Sequence, residues 1–270
     1  MRTSLMVVCC LMCSYIFAQQ PPEDAAAVPA ERGEKEFQFY PGGKVTVVSG
    51  MPGAISIVGW EKGRVRVESE TVVRGLGPDG GEDLDEGPRV RVRHTPTSAT
   101  IEVAGDSRAG RILECNLVVR VPRDKTDIAV TAARGDIRVE GVHGWIEVAT
   151  GEGDLAAWST SGYFSGRTER GDIRVAMSGS CWQGLEFGAV TRMGSIDVAL
   201  PADYSAVLQF EARNGKVAVD YPPQTIDGEE VPLKVGTRKK AQALHAGVGS
   251  GGAPIKLVSR SGDIRLSTTE

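Results

Sequence analysis

The sequence has no excess of basic residues, since its 31 lysines and arginines are outnumbered by 35 aspartates and glutamates. Residues 1–18 hold one arginine and no acidic residue, so their removal would change the net charge from −4 to −5 (30 − 35). Nucleic-acid-binding surfaces depend on clustered Lys and Arg side chains that neutralise phosphates. The charge balance therefore argues against nucleic acid as a partner.

Cysteine is scarce as well, with five in 270 residues. Three of them lie within residues 1–18, which leaves Cys115 and Cys181. In an oxidising compartment these two could form a disulfide, but two separately buried thiols are equally open, because sequence separation says nothing about proximity in space.

Two further features are missing: a helical period of useful length, and an apolar run that spans a bilayer comfortably. The longest apolar run covers residues 5–17, follows Arg2 and ends beside Ala18. This pattern is typical of a cleaved signal peptide, and it predicts that the mature chain begins at Gln19. We therefore expect a protein of the periplasm, the cell surface or the medium, with no transmembrane segment after signal removal.

Glycine, in contrast, recurs every nine residues in the middle of the chain, at Gly135, Gly144, Gly153, Gly162 and Gly171. Each unit begins with a turn and continues as a short strand in which apolar and polar residues alternate. Residues two units apart match best. They form three apolar columns: Ile137 with Leu155 and Ile173, Val139 with Ala157 and Val175, and Ile146 with Phe164.

These columns predict an all-β protein built as a single elongated β-solenoid, with about two strands in each 18-residue coil. Stacked coils would bury the apolar columns, and glycine would allow a positive φ at each corner. Asp136, Asp154 and Asp172 would form an outer column. We expect these aspartates to make local Asx-type turn hydrogen bonds, with arginines beside them.

The chain is predicted to divide into a signal peptide (residues 1–18), a flexible linker (19–35) and the solenoid (36–270). Within the solenoid, residues 36–125 would form irregular N-terminal strands and residues 126–270 the Gly-Asp coils. Alternating runs at residues 45–48, 54–58 and 64–68 predict three successive strands of one sheet system.

Two segments are predicted to be loops. An acidic, turn-rich stretch at residues 74–88 is expected to be solvated, and arginines at 89, 91 and 93 could neutralise it. Residues 221–252 interrupt the repeats and also predict a loop.

Three sequence features together resemble the bacterial putative-adhesin β-strand repeat family over about residues 40 to 270. They are the Gly-Asp-Ile-x-Val repeats, the Gly-Ala-Ile-Ser-Ile-Val-Gly-Trp segment that ends at Trp60, and the Val-Arg-Val-Pro segment that ends at Pro122. The resemblance implies an exported adhesin-like β-solenoid, and it supplies no catalytic residues to carry over.

Several strings match catalytic motifs by chance. Residues 75–80 and 247–252 both fit GxGxxG, but neither is followed by the helix that a dinucleotide site needs. Residues 105–107 (Gly-Asp-Ser) look like an esterase nucleophile block, yet His94, His143 and His245 are isolated, with no aspartate three residues before any of them. We expect no catalytic residue and no cofactor.

Metal and integrin binding are not favoured either. Calcium-binding nonapeptide repeats need Gly-Gly-x-Gly-x-Asp, whereas here the aspartate directly follows one corner glycine. The Arg-Gly-Asp strings at residues 134–136 and 170–172 are explained by the same corner, where Gly-Asp is part of the repeat. We therefore expect no metal site.

The sequence favours an exported, non-catalytic, adhesin-like scaffold or binding protein of the bacterial cell envelope. Its partner would be an unknown protein or polysaccharide at the cell surface. Two alternatives remain open: a β-helix enzyme that acts on polysaccharide, which would need paired carboxylates, and a periplasmic regulatory or envelope-stress partner.

A candidate binding surface follows from the repeat. Trp145 and Tyr163 each come directly after a corner glycine and are 18 residues apart, so one ring should lie above the other, with Trp158 on a neighbouring face. Flat exposed rings suit a sugar ring or the apolar patch of a partner. Alternatively, the rings cover the corners or pack beneath the segment 221–252 and serve stability alone.

Overall fold

The computed structural model describes residues 28–74, 89–105, 112–226, 229–238 and 241–269. Within these ranges every regular element is a β-strand, so the all-β prediction is confirmed. The described part of the chain accordingly offers no helix long and apolar enough to cross a membrane. The expected signal peptide (1–18), the first part of the linker (19–27) and nearly all of the acidic segment (75–88) lie outside the described residues.

Ten strands form one mixed sheet, called the ten-stranded sheet. Its spatial order is β1 (Val28–Gln38), β4 (Arg64–Arg74), β7 (Ile112–Pro122), β3 (Ile55–Trp60), β9 (Ile137–Glu140), β11 (Leu155–Trp158), β13 (Ile173–Ala176), β15 (Ile196–Leu200), β23 (Ile264–Thr268) and β17 (Val217–Asp220).

Eleven strands form the second mixed sheet, called the eleven-stranded sheet. Its order is β20 (Val235–Arg238), β21 (Ala241–Val248), β16 (Ala206–Asn214), β22 (Pro254–Ser261), β14 (Gly184–Met193), β12 (Ser161–Arg170), β10 (His143–Glu152), β8 (Asp127–Arg134), β2 (Lys44–Ser49), β6 (Ser98–Ala104) and β5 (Arg89–Thr95). A separate hairpin joins β18 (Gln224–Ile226) to β19 (Glu229–Val231).

From β8 to β15 the chain alternates between the two sheets. We call a strand of the eleven-stranded sheet, together with the following strand of the ten-stranded sheet, a coil. Neighbouring coils pair in parallel, and Leu155 faces Ile137 on one side and Ile173 on the other. Ile146 faces Phe164 in the other sheet. The predicted columns are therefore confirmed, and all of these side chains are buried.

The buried columns of both sheets meet in one continuous apolar core. Its centre contains an aromatic cluster, in which the rings of Phe164 and Phe187 stack 4.5 Å apart and Trp182 meets Phe187 edge to face at 5.2 Å. Burial of such large side chains is the main stabilising contribution, since each removes well over 100 Å² of apolar surface from water.

Two coils are placed out of sequence order. The coil β2–β3 lies between β6–β7 and β8–β9. At the other end, the coil β22–β23 lies between β14–β15 and β16–β17, and pairs in parallel with both. Each of these inserted coils is thus hydrogen-bonded on both edges by segments that are distant in sequence.

Three of the four sheet ends are antiparallel. This holds for β1, β4 and β7 at one end of the ten-stranded sheet, and for β5 and β6 at one end of the eleven-stranded sheet. At the other end of the eleven-stranded sheet, β16, β21 and β20 are antiparallel as well, whereas the ten-stranded sheet ends with the parallel pair β23 and β17. The sheets are therefore mixed, and a single regular solenoid over residues 36–270 does not describe these ends.

The corners between the sheets explain the glycine repeat. Gly153 has a φ of +142°, and a Cβ added there would lie 2.2 Å from the carbonyl oxygen of Gly135 in the preceding coil. No side chain fits, because neighbouring backbones touch at this point. Beside this contact, the buried Thr168 hydroxyl donates a hydrogen bond of 2.9 Å to the carbonyl oxygen of Gly153.

The aspartates that follow these glycines make a different hydrogen bond from the expected local one. Asp136 Oδ1 accepts a hydrogen bond from the backbone N–H of Asp154, and Asp154 Oδ1 accepts one from Asp172, each at 2.8 Å. Asp172 Oδ1 does the same for Ser195. The aspartate column therefore joins each coil to the next. The expected arginine neighbour is present, with Arg174 Nη1 at 3.5 Å from Asp154 Oδ2.

Three local predictions need correction. Residues 28–35, expected in the linker, belong to β1. The segment 221–252 is not a plain loop, because it contains β18 to β21. The first three predicted strands divide between the sheets, with β2 in one and β3 and β4 in the other. Arg91 and Arg93 contact Glu102 on the adjacent strand, and neutralisation of the acidic segment stays a prediction because that segment lies outside the described residues.

The two remaining cysteines have different surroundings. Cys115 is buried in β7. Cys181 is exposed, and its backbone forms an isolated parallel β-bridge with that of Ser205. No disulfide joins these two residues. The sequence left open a disulfide or two separately buried thiols. Neither alternative is found, since one thiol is buried and the other is exposed.

Candidate binding surface

Trp145 and Tyr163 lie side by side on the outer face of the eleven-stranded sheet. They are register partners in β10 and β12, and their rings stack with centroids 4.0 Å apart and planes 24° from parallel. Trp145 is 44% exposed and Tyr163 is half-buried. The predicted stack is thus confirmed, while its role in binding stays a prediction.

Trp145 is held at both of its N–H groups. The backbone N–H donates to Asp127 Oδ1 at 3.2 Å, and the indole Nε1 donates to Glu147 Oε1 at 3.0 Å. Stacking on Tyr163 adds a third restraint. A ring fixed in this way loses little conformational entropy when a ligand contacts it.

The stacking also determines which ring surfaces are open. Carbon atoms in contact lie about 3.5–4.0 Å apart, so a centroid distance of 4.0 Å means that the rings overlap face to face. Because the two residues are register partners, the stacking direction runs across the strands. One face of Trp145 is therefore covered by Tyr163, and its other face is turned towards β8.

Leu185 is an exposed apolar residue in β14, the strand next to β12 on the Tyr163 side. It lies at an irregularity in β14, where Gly162 pairs with Gly184 but Tyr163 pairs with Glu186. Leu185 is thereby left without a register partner in β12, and it is 70% exposed. Bulges commonly redirect a side chain next to a functional surface. We call Trp145, Tyr163 and Leu185 the aromatic strip.

Polar groups border the strip on both sides. Lys44 and Asp127 are register partners beyond Trp145. Beyond Tyr163, Glu186 forms an ion pair of 2.6 Å with Lys256. The strip is therefore a narrow apolar feature within a polar surface.

Trp158 does not belong to this surface. It ends β11 in the ten-stranded sheet, and the Arg138 guanidinium lies 5.2 Å from the centre of its ring. The structure thus brings together two of the three expected residues. The segment 221–252 was expected as a possible cover for the rings. Its strand β21 is separated from β12, which carries Tyr163, by β16, β22 and β14.

His143 has a carboxylate partner that local sequence spacing did not show. Its Nδ1 lies 2.8 Å from Asp124 Oδ1, and both side chains are well exposed. His94 instead stacks on Phe37 with ring centroids 4.0 Å apart. Asp124 precedes His143 by 19 residues, close to one coil length, so the repeat itself was the signal that could have found this pair.

Three side chains have pKa values that are shifted by their surroundings. Burial raises the pKa of Tyr204 and of Tyr221. The hydrogen bond from Arg64 lowers the pKa of Glu36. Among the described residues there is also no group of three or more His, Cys, Asp or Glu side chains placed to hold a metal ion.

The two Arg-Gly-Asp strings occupy corners. In both, one carboxylate oxygen of the aspartate is engaged by a backbone N–H of the next coil. Arg134 and Arg170 both contact Glu152, with nitrogen to oxygen distances of 3.2 and 2.5 Å. The corner geometry accounts for these residues, as expected from the repeat.

No model of a known protein family matches the chain, and no curated protein matches it. Among solved structures, a putative cell adhesion protein from Clostridium sporogenes is similar, with a TM-score of 0.46, 11% identity, and coverage of 88% of this chain and 100% of the other. A putative adhesin from Bacteroides fragilis gives 0.42 and 13%, with coverage of 89% and 99%. A putative lipid binding protein from Parabacteroides distasonis gives 0.26 and 14%, with coverage of 87% and 96%. At these TM-scores and identities the likeness carries no conclusion about function.

Proposed function

We propose that this protein is an exported, non-catalytic, adhesin-like binding protein of the bacterial cell envelope. In this proposal the coils from β8 to β15 form a two-sheet β-solenoid that acts as a rigid scaffold. The aromatic strip on the outer face of the eleven-stranded sheet contacts a partner, which is a protein or polysaccharide at the cell surface. The resemblance to the putative-adhesin repeat family belongs to the same proposal.

One observation carries it: a fixed pair of stacked rings, in which Trp145 is exposed and Tyr163 is half-buried, lies on the strands next to a leucine that is 70% exposed. A core residue would be buried, and large apolar side chains clustered on a surface commonly mark contact sites. Aromatic residues are also enriched among those that dominate binding energy.

The test compares adherence of the purified protein to envelope polymer and to host matrix with that of a Trp145→Ala, Tyr163→Ala double variant. We expect weakened adherence and a nearly unchanged melting temperature. Trp158→Ala is the matched control, because it removes an aromatic ring from the other sheet. A large loss of stability without any loss of adherence would show that the rings serve only the fold.

Export is a separate part of the proposal, and it rests on Arg2, the apolar run 5–17 and Ala18. N-terminal sequencing of protein recovered from the periplasm or medium should give Gln19 as the first residue. An intact Met1 in the cytosolic fraction would contradict export.

A non-catalytic role is a further part of the proposal. Near the strip, Asp127 and Glu147 each accept a hydrogen bond from Trp145 with one carboxylate oxygen, which supports a positioning role. Incubation with envelope polysaccharide should release no new reducing ends. Their release would favour the polysaccharide-active enzyme, whereas recovery of a soluble periplasmic protein in a pull-down would favour the regulatory partner.

A further inference from the structure

The two ends of the aromatic strip differ in their chemistry. At the Tyr163 end, the neighbours are the exposed Leu185 and the Glu186 carboxylate, which is already paired with Lys256 at 2.6 Å. At the Trp145 end, the next position in the same row is Asp127 in β8. The exposed Lys44 follows it.

This second end offers hydrogen-bonding groups of both signs around one flat apolar face. Asp127 and Glu147 each hold an N–H of Trp145 with one carboxylate oxygen, which leaves their second oxygens as acceptors. Lys44 supplies donors only. The indole face supplies an apolar contact about the size of a sugar ring.

Charge then discriminates between ligand classes. A cation on the indole face would be attracted by Asp127 but repelled by Lys44, and an anion would experience the reverse. An apolar partner would have to desolvate all three charged groups without replacing their hydrogen bonds, which is costly. A neutral polyhydroxyl ring avoids these penalties, because its C–H face stacks on the indole while its hydroxyls donate to carboxylates and accept from the ammonium group.

We propose that the face of Trp145 turned towards β8, bordered by Asp127, Glu147 and Lys44, is a subsite for a neutral sugar residue. This inference rests on the proposed function and deepens it, because it names the ligand class and the end of the aromatic strip that the ligand occupies. Leu185 lies at the other end and is not part of the sugar subsite.

The test uses arrays of oligosaccharides of equal length in neutral, amino-sugar and uronic-acid forms, followed by titration of indole fluorescence with the best binder. The neutral class should bind preferentially. Trp145→Ala should weaken that binding at least tenfold, and Lys44→Gln and Asp127→Asn should each weaken it severalfold. Trp145→Phe keeps a flat ring and should retain part of the affinity.

Two controls make the outcome decisive. Trp158→Ala, in the other sheet, should leave the affinity for the neutral oligosaccharide unchanged within twofold, and melting temperatures should show that every variant is folded. A preference for a charged class, no binding to any neutral sugar, or equal losses from Trp158→Ala and Trp145→Ala would each overturn the inference.

The failure of this inference can be told apart from failure of the proposed function. If neutral sugars do not bind but adherence to cell-surface material still falls in both the Trp145→Ala and the Leu185→Ser variants, the strip binds a protein partner and only the sugar subsite is wrong. If adherence depends on none of these residues, the proposed function fails as well.

Discussion

Asp154 Oδ1 accepts a hydrogen bond of 2.8 Å from the backbone N–H of Asp172, the residue at the same position of the next coil. Asp154 is in turn the donor, through its own backbone N–H, to Asp136. Each aspartate thus accepts a hydrogen bond from a backbone N–H at the corner that has no partner within the sheets. The column holds successive coils in register through side-chain to backbone bonds.

Replacement of Asp154 should show this role. Asp154→Ala leaves the N–H of Asp172 without its acceptor, and we expect a loss of about 1–2 kcal/mol in the free energy of unfolding. Asp154→Asn keeps an acceptor oxygen and loses only the exposed contact with Arg174, a change of less than about 1 kcal/mol. Urea denaturation measures both, and equal losses would contradict the proposed bond.

A corner glycine should be more sensitive than a strand glycine. In Gly153→Ala the new methyl group would lie 2.2 Å from a backbone carbonyl oxygen, at a φ of +142°. We expect a loss of at least about 2 kcal/mol. Gly247→Ala is the control, because nothing lies within 4 Å of its added Cβ. Its effect should stay within about 0.5 kcal/mol, as thermal denaturation can show.

The assignment of strand faces can be tested with one charge at two adjacent positions. Leu155→Asp would place a carboxylate between Ile137 and Ile173 in the core, and should cost more than about 3 kcal/mol or prevent folding. Ala156→Asp puts the same group on the outer face, in register with Arg138 and Arg174, and should be neutral or slightly stabilising. Equal melting temperatures would show that the faces are wrongly assigned.

The position of the C-terminal coil predicts a large effect of truncation. Deletion of residues 254–270 removes β22 and β23 from the interior of both sheets, which leaves the edges of β14, β16, β15 and β17 unpaired and takes buried side chains such as Leu257 and Leu266 out of the core. The shortened chain should aggregate or lose cooperative melting. A synthetic peptide of residues 254–270, added during refolding, should restore part of the native circular dichroism. Wild-type melting of the truncated chain would refute this placement.

The repeat explains why the central part could be predicted from the sequence. An 18-residue period fixes the pairing of Leu155 and the stacking of Trp145 on Tyr163, because identical positions in neighbouring coils must coincide. Leu185 was missed, since the coil before it is longer: Gly144 pairs with Gly162 after 18 residues, but Gly162 pairs with Gly184 after 22. The aspartate bonds join backbone and side chain across coils, which a residue pattern does not reveal.

The ends could not be predicted for a different reason. The order of coils there depends on contacts between segments such as β3 and β7, whose sequences carry no shared period. Alternating strands pair equally well with several partners when only their apolar faces are considered. Composition also misled at β1, where alanine, proline and charge suggested a linker, although this strand pairs with β4 over its full length.

The inserted coil β22–β23 gives the molecule a mechanical polarity. A pulling force applied at Thr269 would load β23 first, and this strand is hydrogen-bonded to β15 on one edge and to β17 on the other. Two ladders must therefore shear together before the chain yields. A force applied at Val28 meets only β1, an edge strand with a single antiparallel neighbour that can be unzipped one residue at a time. Under tension, the fold would open from its N-terminal side.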